Sequence, residues 1–275
     1  MNIFKIIFKK KPKKIKIGLA LGSGGAKGFA ELGAIRAFEE NGVEFDVIGG
    51  TSIGSIIGAF LANGYSSTDI LELLKKVDVS EIKNLFMMNM DTSGLFKTID
   101  LSIGSLNIEQ LKKPFCAIAT CLETGDEKVF TTGSVATALC ASSSYPPFFK
   151  AVVIDGKRYI DGAFVNSIPA DWVRAQGVDY VIGIDLSTHE KKSGILDKIF
   201  PTYQSGVEKP WQKGYDNSDV MLKPDLSRYR PISFSDGEIM YEIGYNEAIS
   251  KMPKMLNDLF ALRKGKKLGE NKVKK

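Results

Sequence analysis

The chain has 275 residues, 44% hydrophobic and 25% charged, the composition of a globular protein able to bury a substantial core. Its net charge of +5 is concentrated at the ends: residues 1–16 contain seven lysines, and residues 263–275 contain seven Lys or Arg and one Glu. The body between these ends is therefore net negative. This distribution argues against a nucleic-acid partner, because nucleic-acid-binding proteins usually carry their basic surface on the folded domain.

The cysteine and histidine content predicts that the protein uses no metal and no cofactor. The chain has one histidine, His189, and three cysteines without a C-x-x-C pair, which does not match a zinc site. It also lacks the acidic loop that a calcium site requires. The odd number of cysteines is typical of a protein from a reducing compartment.

The first eight residues, MNIFKIIF, are too short to span a membrane, and they precede the lysines, the wrong order for a secretory signal. We therefore expect a cytoplasmic protein with one domain over residues 15–262 and basic tails over residues 1–14 and 263–275. An apolar patch beside lysines can bind peripherally to the inner face of an anionic membrane. The alternative is a solvated terminus, and the sequence leaves the oligomeric state open.

The first half of the chain alternates predicted strands and helices. Ile17 to Leu21 predict a strand that enters the glycine cluster GSGGAKG, and helical spacing follows until Asn41-Gly42. The next predicted elements are a strand at VEFDVIGG, an apolar helix through Leu61 and a helix at STDILELLKKV. The Met- and Phe-rich stretch that follows is predicted to be irregular. Its residues 86–96 could form a lid or a wall for an acyl chain, or belong to an ordinary core.

The second half continues the same alternation. The predicted elements are two strands in FCAIATCLETGDEKVFTT, a short helix in GSVATALCASSSYPPFF, a hairpin around Asp155-Gly156 and a helix, glycine and strand in DWVRAQGVDYVIGIDLS. Residues 190–245 are poorly patterned, and a last helix is expected from about Ser235 to Leu262. This order predicts one α/β domain whose largely parallel sheet is covered on both faces.

Gly50-Thr51-Ser52-Ile53-Gly54 matches G-x-S-x-G, the pattern of a nucleophile elbow between a strand and a helix. The glycines are needed there because a larger side chain would collide with the neighbouring strand or helix. A plain glycine-rich connection is the structural alternative. If Ser52 is a nucleophile, it needs a general base within hydrogen-bond reach.

Two residues are candidates for that base. Ser52, an aspartate and His189 would follow the chain order of an α/β-hydrolase triad, although LSTHEKKSG is a polar loop in which a histidine is often only a surface residue. Asp161 is the other candidate, because YIDGAF places it where a strand ends in a glycine turn.

The loop at residues 22–28, GSGGAKG, can supply consecutive glycine N–H groups to an oxyanion at a strand-to-helix turn. A phosphate-binding P-loop is excluded by spacing, because Lys27 is followed by Gly28 and not by Ser or Thr. The spacing of the glycines also fails the dinucleotide-binding pattern G-x-G-x-x-G.

Taken together, the glycine-rich loop, G-x-S-x-G about 25 residues later and Asp-Gly-Ala about a hundred residues further on resemble the patatin-like phospholipase family. The resemblance covers roughly residues 15 to 190, includes ASSSYPP ahead of the Asp-Gly hairpin, and is greatest for compact bacterial members. The matching motif positions are Gly22, Lys27, Gly28, Gly50, Gly54, Gly162 and Ala163. Ser23 stands where the family has the first glycine of the loop, and Ala163 where many relatives have a second glycine.

The resemblance implies a three-layer α/β/α sandwich and a serine–aspartate dyad that works without histidine. Ser52 would be the nucleophile and Asp161 the base, with Gly24 and Gly25 as the oxyanion loop, to which the N–H of Ile53 adds a third donor. The substrate class it implies is acyl esters of lipids, as in a phospholipase A or a lysophospholipase. A Ser-Asp-His triad esterase and a non-catalytic lipid-binding regulatory protein remain the alternatives.

Overall fold

The computed structural model describes residues 14–76, 92–187, 209–266 and 268. Its strands are β1 (Ile17–Leu21), β2 (Val47–Thr51), β3 (Phe115–Cys121), β4 (Glu127–Phe130), β5 (Val152–Ile154), β6 (Lys157–Asp161), β7 (Tyr180–Ile184) and β8 (Val220–Leu222). Its α-helices are α1 (Gly28–Glu40), α2 (Ile53–Ala62), α3 (Ser67–Lys76), α4 (Ser93–Ile103), α5 (Val135–Ser143), α6 (Ala170–Ala175), α7 (Gln212–Asn217) and α8 (Gly237–Arg263).

The strands of the described residues form a single mixed sheet in the order β5-β6-β3-β2-β1-β7-β8. Strands β6 and β2 share one edge of β3, and β4 pairs with the opposite edge. Strands β3, β2, β1, β7 and β8 are mutually parallel, whereas β4, β5 and β6 form antiparallel pairs. The expected α/β sandwich is confirmed, and its parallel part is the centre of the sheet. The antiparallel strands come from the two predicted hairpins, whose short turns can only join antiparallel neighbours.

Helices cover both faces of this sheet. Successive residues of the central strands point to opposite faces, so each strand contributes side chains to both layers of helices. Leu19 and Leu21 of β1 belong to the large core beneath α1, α2 and α8. Ala20, between them, belongs to a smaller core on the other face, where it meets Val173 of α6 and half-buried Trp211. The alternation gives the three layers that the sequence predicted.

The long helix α8 crosses α1 at very short range. A side chain at Gly33 would collide with the backbone of Tyr241, and one at Gly244 would collide with the backbone of Ala30. Glycine is therefore required at both positions for the backbones to approach this closely. Helix α8 begins near α1's first turn and ends near the amino end of β7, where the Tyr180 hydroxyl donates to Asp258 at 3.0 Å.

Two sequence-based expectations are corrected. Residues 190–245 were expected to lack pattern, yet they contain α7 and β8, which extends the sheet beside β7. The stretch NLFMMNMDTSGLFKT, residues 84–98, was expected to be irregular, yet a helix, α4, begins within it and runs from Ser93 to Ile103. The last helix, expected from about Ser235 to Leu262, is confirmed and spans Gly237–Arg263. The rest of the proposed lid, residues 86–91, lies outside the described residues.

No helix in the described part of the chain combines the length and the apolar character that crossing a bilayer demands.

Candidate active site

The site lies where β2 and β6 meet end to end along one edge of β3. Thr51, the last residue of β2, pairs with Ile118, and Asp161, the last residue of β6, pairs with the next residue, Ala119. Because β2 is parallel and β6 antiparallel to β3, their carboxyl ends converge on that point. Residues 109 positions apart in the chain, Ser52 and Asp161, are thereby brought together.

Ser52 occupies a sharp turn between β2 and α2. Its φ of 56° and ψ of −126° are rare for a residue with a side chain, and such a conformation persists only when its surroundings enforce it. The flanking glycines make the turn possible, because a Cβ at Gly50 would collide with the backbone of Gly54. A Cβ at Gly54 would lie 2.6 Å from the carbonyl oxygen of Leu21. This is the geometry of a nucleophile elbow.

The Ser52 hydroxyl donates to Oδ2 of Asp161 at 2.6 Å. The other carboxylate oxygen, Oδ1, accepts the N–H of Ala163 at 2.9 Å, which fixes the orientation of the carboxyl group. Asp161 is fully buried, and Ser52 retains 8% of its exposure. The pair is thus shielded from bulk water, and Ser52 keeps limited exposure.

Burial raises the pKa of Asp161 to about 7, against the lowering effect of the hydrogen bonds from Ser52 and Ala163. An aspartate with a pKa near neutrality can accept a proton and release it again at the pH of a cell. The same residue on the surface would hold a proton too weakly for that exchange.

The row of serines ahead of the double proline supports both members of this pair. Ser142 Oγ accepts the N–H of Ser52 at 2.9 Å. The carbonyl of Ser144 accepts the N–H of Asp161 at 3.1 Å. From β3, the Thr120 hydroxyl donates to the carbonyl oxygen of Asp161 at 2.8 Å. Both backbones are held by hydrogen bonds from separate elements.

The glycine loop packs directly on the elbow. A Cβ at Gly28 would lie 2.5 Å from the side chain of Ile53, so glycine is needed for this contact. Gly25 has a φ of 58°, and a Cβ there would lie 2.5 Å from the carbonyl oxygen of Pro231. Both the left-handed backbone and the close contact restrict this position to glycine.

The hydrogen bonds of the loop involve the residues on either side of two adjacent glycine N–H groups. The N–H of Ser23 donates to Ser167 at 3.0 Å, and that of Ala26 donates to Pro231 at 2.7 Å. Between them, the N–H groups of Gly24 and Gly25 have no acceptor among the residues that the structure describes. Ile53 begins α2, where the first N–H groups have no partner within the helix.

Glu31 on α1 was not identified from the sequence. It is fully buried, and its Oε1 accepts the N–H of Gly22, the first residue of the glycine loop, at 2.7 Å. Burial raises the pKa of Glu31 well above its ordinary range. Its Oε2 has no hydrogen-bond partner in the described part of the chain. The available signal was its position one turn before Ile35, on the buried side of the helix.

The remaining motif positions have packing or backbone roles. Lys27 is 7% exposed, and its Nζ donates to the carbonyl of Leu186 at 3.4 Å. A Cβ at Gly22 would lie 2.6 Å from the carbonyl of Ile184, and one at Gly162 would collide with the carbonyl of Ile118. Ala163 contributes its N–H to Asp161, a contact that any residue other than proline can make.

His189, the base of the alternative triad, lies outside the described residues. Within residues 14–76, 92–187 and 209–266, no three His, Cys, Asp or Glu side chains are grouped closely enough to hold a metal ion.

A serine on an elbow turn, in an open α/β fold with a buried carboxyl beside it, is an arrangement found in serine hydrolases. A family model supplies the finer assignment: the one described as patatin-like phospholipase matches residues 19–173. The chain belongs to the patatin-like phospholipase family.

Relatives with curated names agree with this assignment. The chain is 26% identical to neuropathy target esterase sws of Drosophila melanogaster over 83% of its length, and 29% identical to lysophospholipase NTE1 of Saccharomyces cerevisiae over 83%. It is 34% identical to patatin-like phospholipase domain-containing protein 7 of Mus musculus over 64%. The chain spans only 19%, 16% and 14% of these proteins, respectively.

Solved structures show the same fold. VipD from Legionella pneumophila matches 88% of the chain and 67% of its own chain, with a TM-score of 0.57 and 13% identity. ExoU, in its complex with SpcU from Pseudomonas aeruginosa, matches 88% of the chain and 52% of its own, with a TM-score of 0.50 and 14% identity.

Proposed function

We propose that the protein hydrolyses fatty-acyl esters of lipids, as a phospholipase A or a lysophospholipase does, with Ser52 as nucleophile and Asp161 as base. The observation that carries this proposal is the 2.6 Å hydrogen bond from the Ser52 hydroxyl to a buried carboxyl, made on an elbow turn. Relatives named lysophospholipase and esterase support the same chemistry.

The reaction would begin with ionised Asp161 taking the proton of Ser52 as Oγ attacks the ester carbonyl carbon. The negative charge that forms on the carbonyl oxygen would be held by the N–H groups of Gly24, Gly25 and Ile53. Asp161 then returns the proton to the departing alcohol oxygen, and the acyl group remains on Ser52. A water molecule, deprotonated by Asp161, attacks this acyl ester, and the fatty acid and Ser52 are released.

The experiment is to replace Ser52 by alanine and to measure turnover of a chromogenic acyl ester. We expect turnover to fall at least about 10⁴-fold, because a residual rate without the nucleophile comes only from binding and the oxyanion donors. Ser143→Ala is the matched control, since the Ser143 hydroxyl is buried without a partner among the described residues. Full activity of Ser52→Ala would contradict the proposal.

A lipid-binding protein without turnover is the alternative from another class. Labelling of wild-type protein by a fluorophosphonate separates the two, because such a probe reacts only with an activated serine. Labelling that disappears in Ser52→Ala supports the enzyme. Purified wild-type protein that is never labelled would favour the binding protein.

We also propose that the protein works in the cytoplasm and contacts anionic membranes peripherally through its basic tails, residues 1–14 and 263–275. The described parts of both tails begin at the amino ends of the parallel strands: Lys14 precedes β1, and Arg263 ends α8. Ser52 lies at the carboxyl ends of these strands, on the other side of the sheet from both attachment points. Deleting residues 1–14 should weaken binding to anionic vesicles, most clearly at low salt. Equal binding of both forms would make the tail a solvated end.

A further inference from the structure

The loop between β8 and α8 packs on the glycine loop and carries an exposed turn. Its Leu226 is 2% exposed and anchors it in the core. The carbonyl of Pro231 accepts the N–H of Ala26 at 2.7 Å, and Gly25 allows that close approach. Residues 228–232, which we call the arginine turn, therefore lie directly beside the proposed oxyanion loop.

The arginine turn has a defined shape. The N–H of Ser233 donates to the carbonyl of Arg230 at 3.0 Å, and the N–H of Arg230 donates to Ser233 Oγ at 3.1 Å. These two hydrogen bonds close the backbone around Pro231 and Ile232, which form the tip. Ile232 is 44% exposed, although it is a large apolar residue.

Two arginines precede this apolar tip in the turn. Arg228 and Arg230 are both exposed, and in the part of the chain that the structure describes neither guanidinium lies within 4.0 Å of a carboxylate. Asp225, three residues before Arg228, accepts hydrogen bonds from the N–H of Ser227 at 3.2 Å and from its hydroxyl at 2.7 Å. These bonds, and to a smaller extent the charge of Arg228, lower the pKa of the Asp225 carboxyl. Both arginines are thus accessible to solvent in the same turn as an exposed isoleucine.

We propose that the arginine turn docks onto an anionic phospholipid surface and thereby presents the Ser52 edge of the sheet to lipid. Guanidinium groups match phosphate geometry with paired hydrogen bonds. Ile232 would enter the boundary between headgroups and acyl chains, as apolar residues of peripheral proteins do. The turn is on the carboxyl side of the parallel strands, whereas both tails begin on the amino side. The inference rests on the proposed function only for the identity of the substrate.

The test measures binding and not turnover, so that its outcome is independent of the proposed chemistry. Full-length Ser52→Ala protein is sedimented with vesicles of phosphatidylcholine and phosphatidylglycerol, with or without Arg228→Gln and Arg230→Gln. We expect the double substitution to lower the partition coefficient about 30-fold. This is the equivalent of about 2 kcal/mol, because a basic residue near an anionic surface contributes about 1 kcal/mol.

The matched control removes the same two charges at the other side of the molecule. Lys112→Gln with Lys113→Gln changes residues that precede β3, at the amino end of the sheet, and should alter binding less than about threefold. Ile232→Asp is the second variant, and its loss of binding should persist at high salt, where the effect of charge is screened.

Three results would overturn the proposal. The first is unchanged binding in the arginine variant, and the second is an equal loss in the lysine control, which would indicate a response to net charge alone. The third is unchanged binding of Ile232→Asp at high salt. If the protein is never labelled by a fluorophosphonate but its binding follows the expected pattern, the proposed function fails while the docking surface stands.

Discussion

Asp161 and Glu31 are both fully buried carboxyls close to the elbow, and they differ in what they face. Burial raises the pKa of each, to about 7 for Asp161 and well above the ordinary range for Glu31. Asp161 lies at the end of a strand and accepts a hydrogen bond from the Ser52 hydroxyl. Glu31 lies inside a helix and accepts a hydrogen bond from the backbone N–H of Gly22.

The difference shows that a raised pKa alone does not identify a catalytic base. A base must lie within hydrogen-bond reach of the proton it removes. Asp161 meets that condition through Ser52. Glu31 holds the start of the glycine loop, and we interpret it as a positioning residue that acts through the N–H groups of that loop. Replacing each residue in turn can break this comparison or make it sharper.

Between the two carboxyls, the larger effect is expected for Asp161→Asn. The amide keeps the shape of the side chain but cannot take the Ser52 proton, and a positioned general base contributes about 10²- to 10⁴-fold to the rate. We therefore expect kcat/KM for a soluble acyl ester to fall by at least about 100-fold. Retention of most of the activity would show that another group removes the proton.

The same substitution should change how stability depends on pH. Because the folded-state pKa of Asp161 is raised above its unfolded value, its contribution to stability is complete at low pH and declines as the pH rises towards 7. One pKa unit corresponds to about 1.36 kcal/mol. The free energy of unfolding of wild-type protein should therefore fall relative to Asp161→Asn between about pH 4 and pH 7 and then level off. Urea unfolding across this range checks it, and a constant difference would contradict the raised pKa.

Glu31 variants test the positioning role. Glu31→Leu leaves the N–H of Gly22 buried without an acceptor, which costs about 1–3 kcal/mol of stability, and we expect about a tenfold loss of kcat through the displaced loop. Glu31→Gln keeps an acceptor oxygen and should restore kcat. Neither variant should move the apparent pKa near 7 in the pH profile of kcat/KM. A shift of that pKa in Glu31→Gln would make Glu31 part of the proton transfer.

The smallest effect is expected for His189→Ala. A dyad of Ser52 and Asp161 needs no histidine, so kcat/KM should stay within about twofold of wild type. A triad esterase would lose nearly all activity in this variant. Unchanged activity of His189→Ala thus favours Asp161 as the base, and loss of activity favours His189.

Much of this architecture could be predicted from the sequence. Strands and helices alternate clearly over residues 17–76 and 115–187, and glycines mark the elbow at Ser52, whereas α4 begins in a stretch expected to be irregular. The elements α7 and β8 have six and three residues, too short to show a period, and β8 is recognised only through its pairing with β7. Turn chemistry indicated Asp161, because Asp161 and Gly162 form an Asp-Gly pair at the exit of the predicted hairpin.

The positions that escaped prediction depend on contacts between distant segments. In the sequence, Glu31 has no feature that distinguishes it from other helix residues. Only the structure shows that its carboxyl accepts the N–H of Gly22. The arginine turn lies in a segment without pattern, and its importance appears only when Pro231 is seen to meet Ala26, more than 200 residues earlier.

The central claim is that Asp161 activates Ser52, and the rate of fluorophosphonate labelling as a function of pH tests it most directly. We expect wild-type protein to be labelled at Ser52, as mapped by peptide mass spectrometry, at a rate that rises with pH through an apparent pKa of about 7. In Asp161→Asn the rate should be at least about 100-fold lower, without that rise. Labelling of Asp161→Asn at the wild-type rate, or labelling at a residue other than Ser52, would contradict the account.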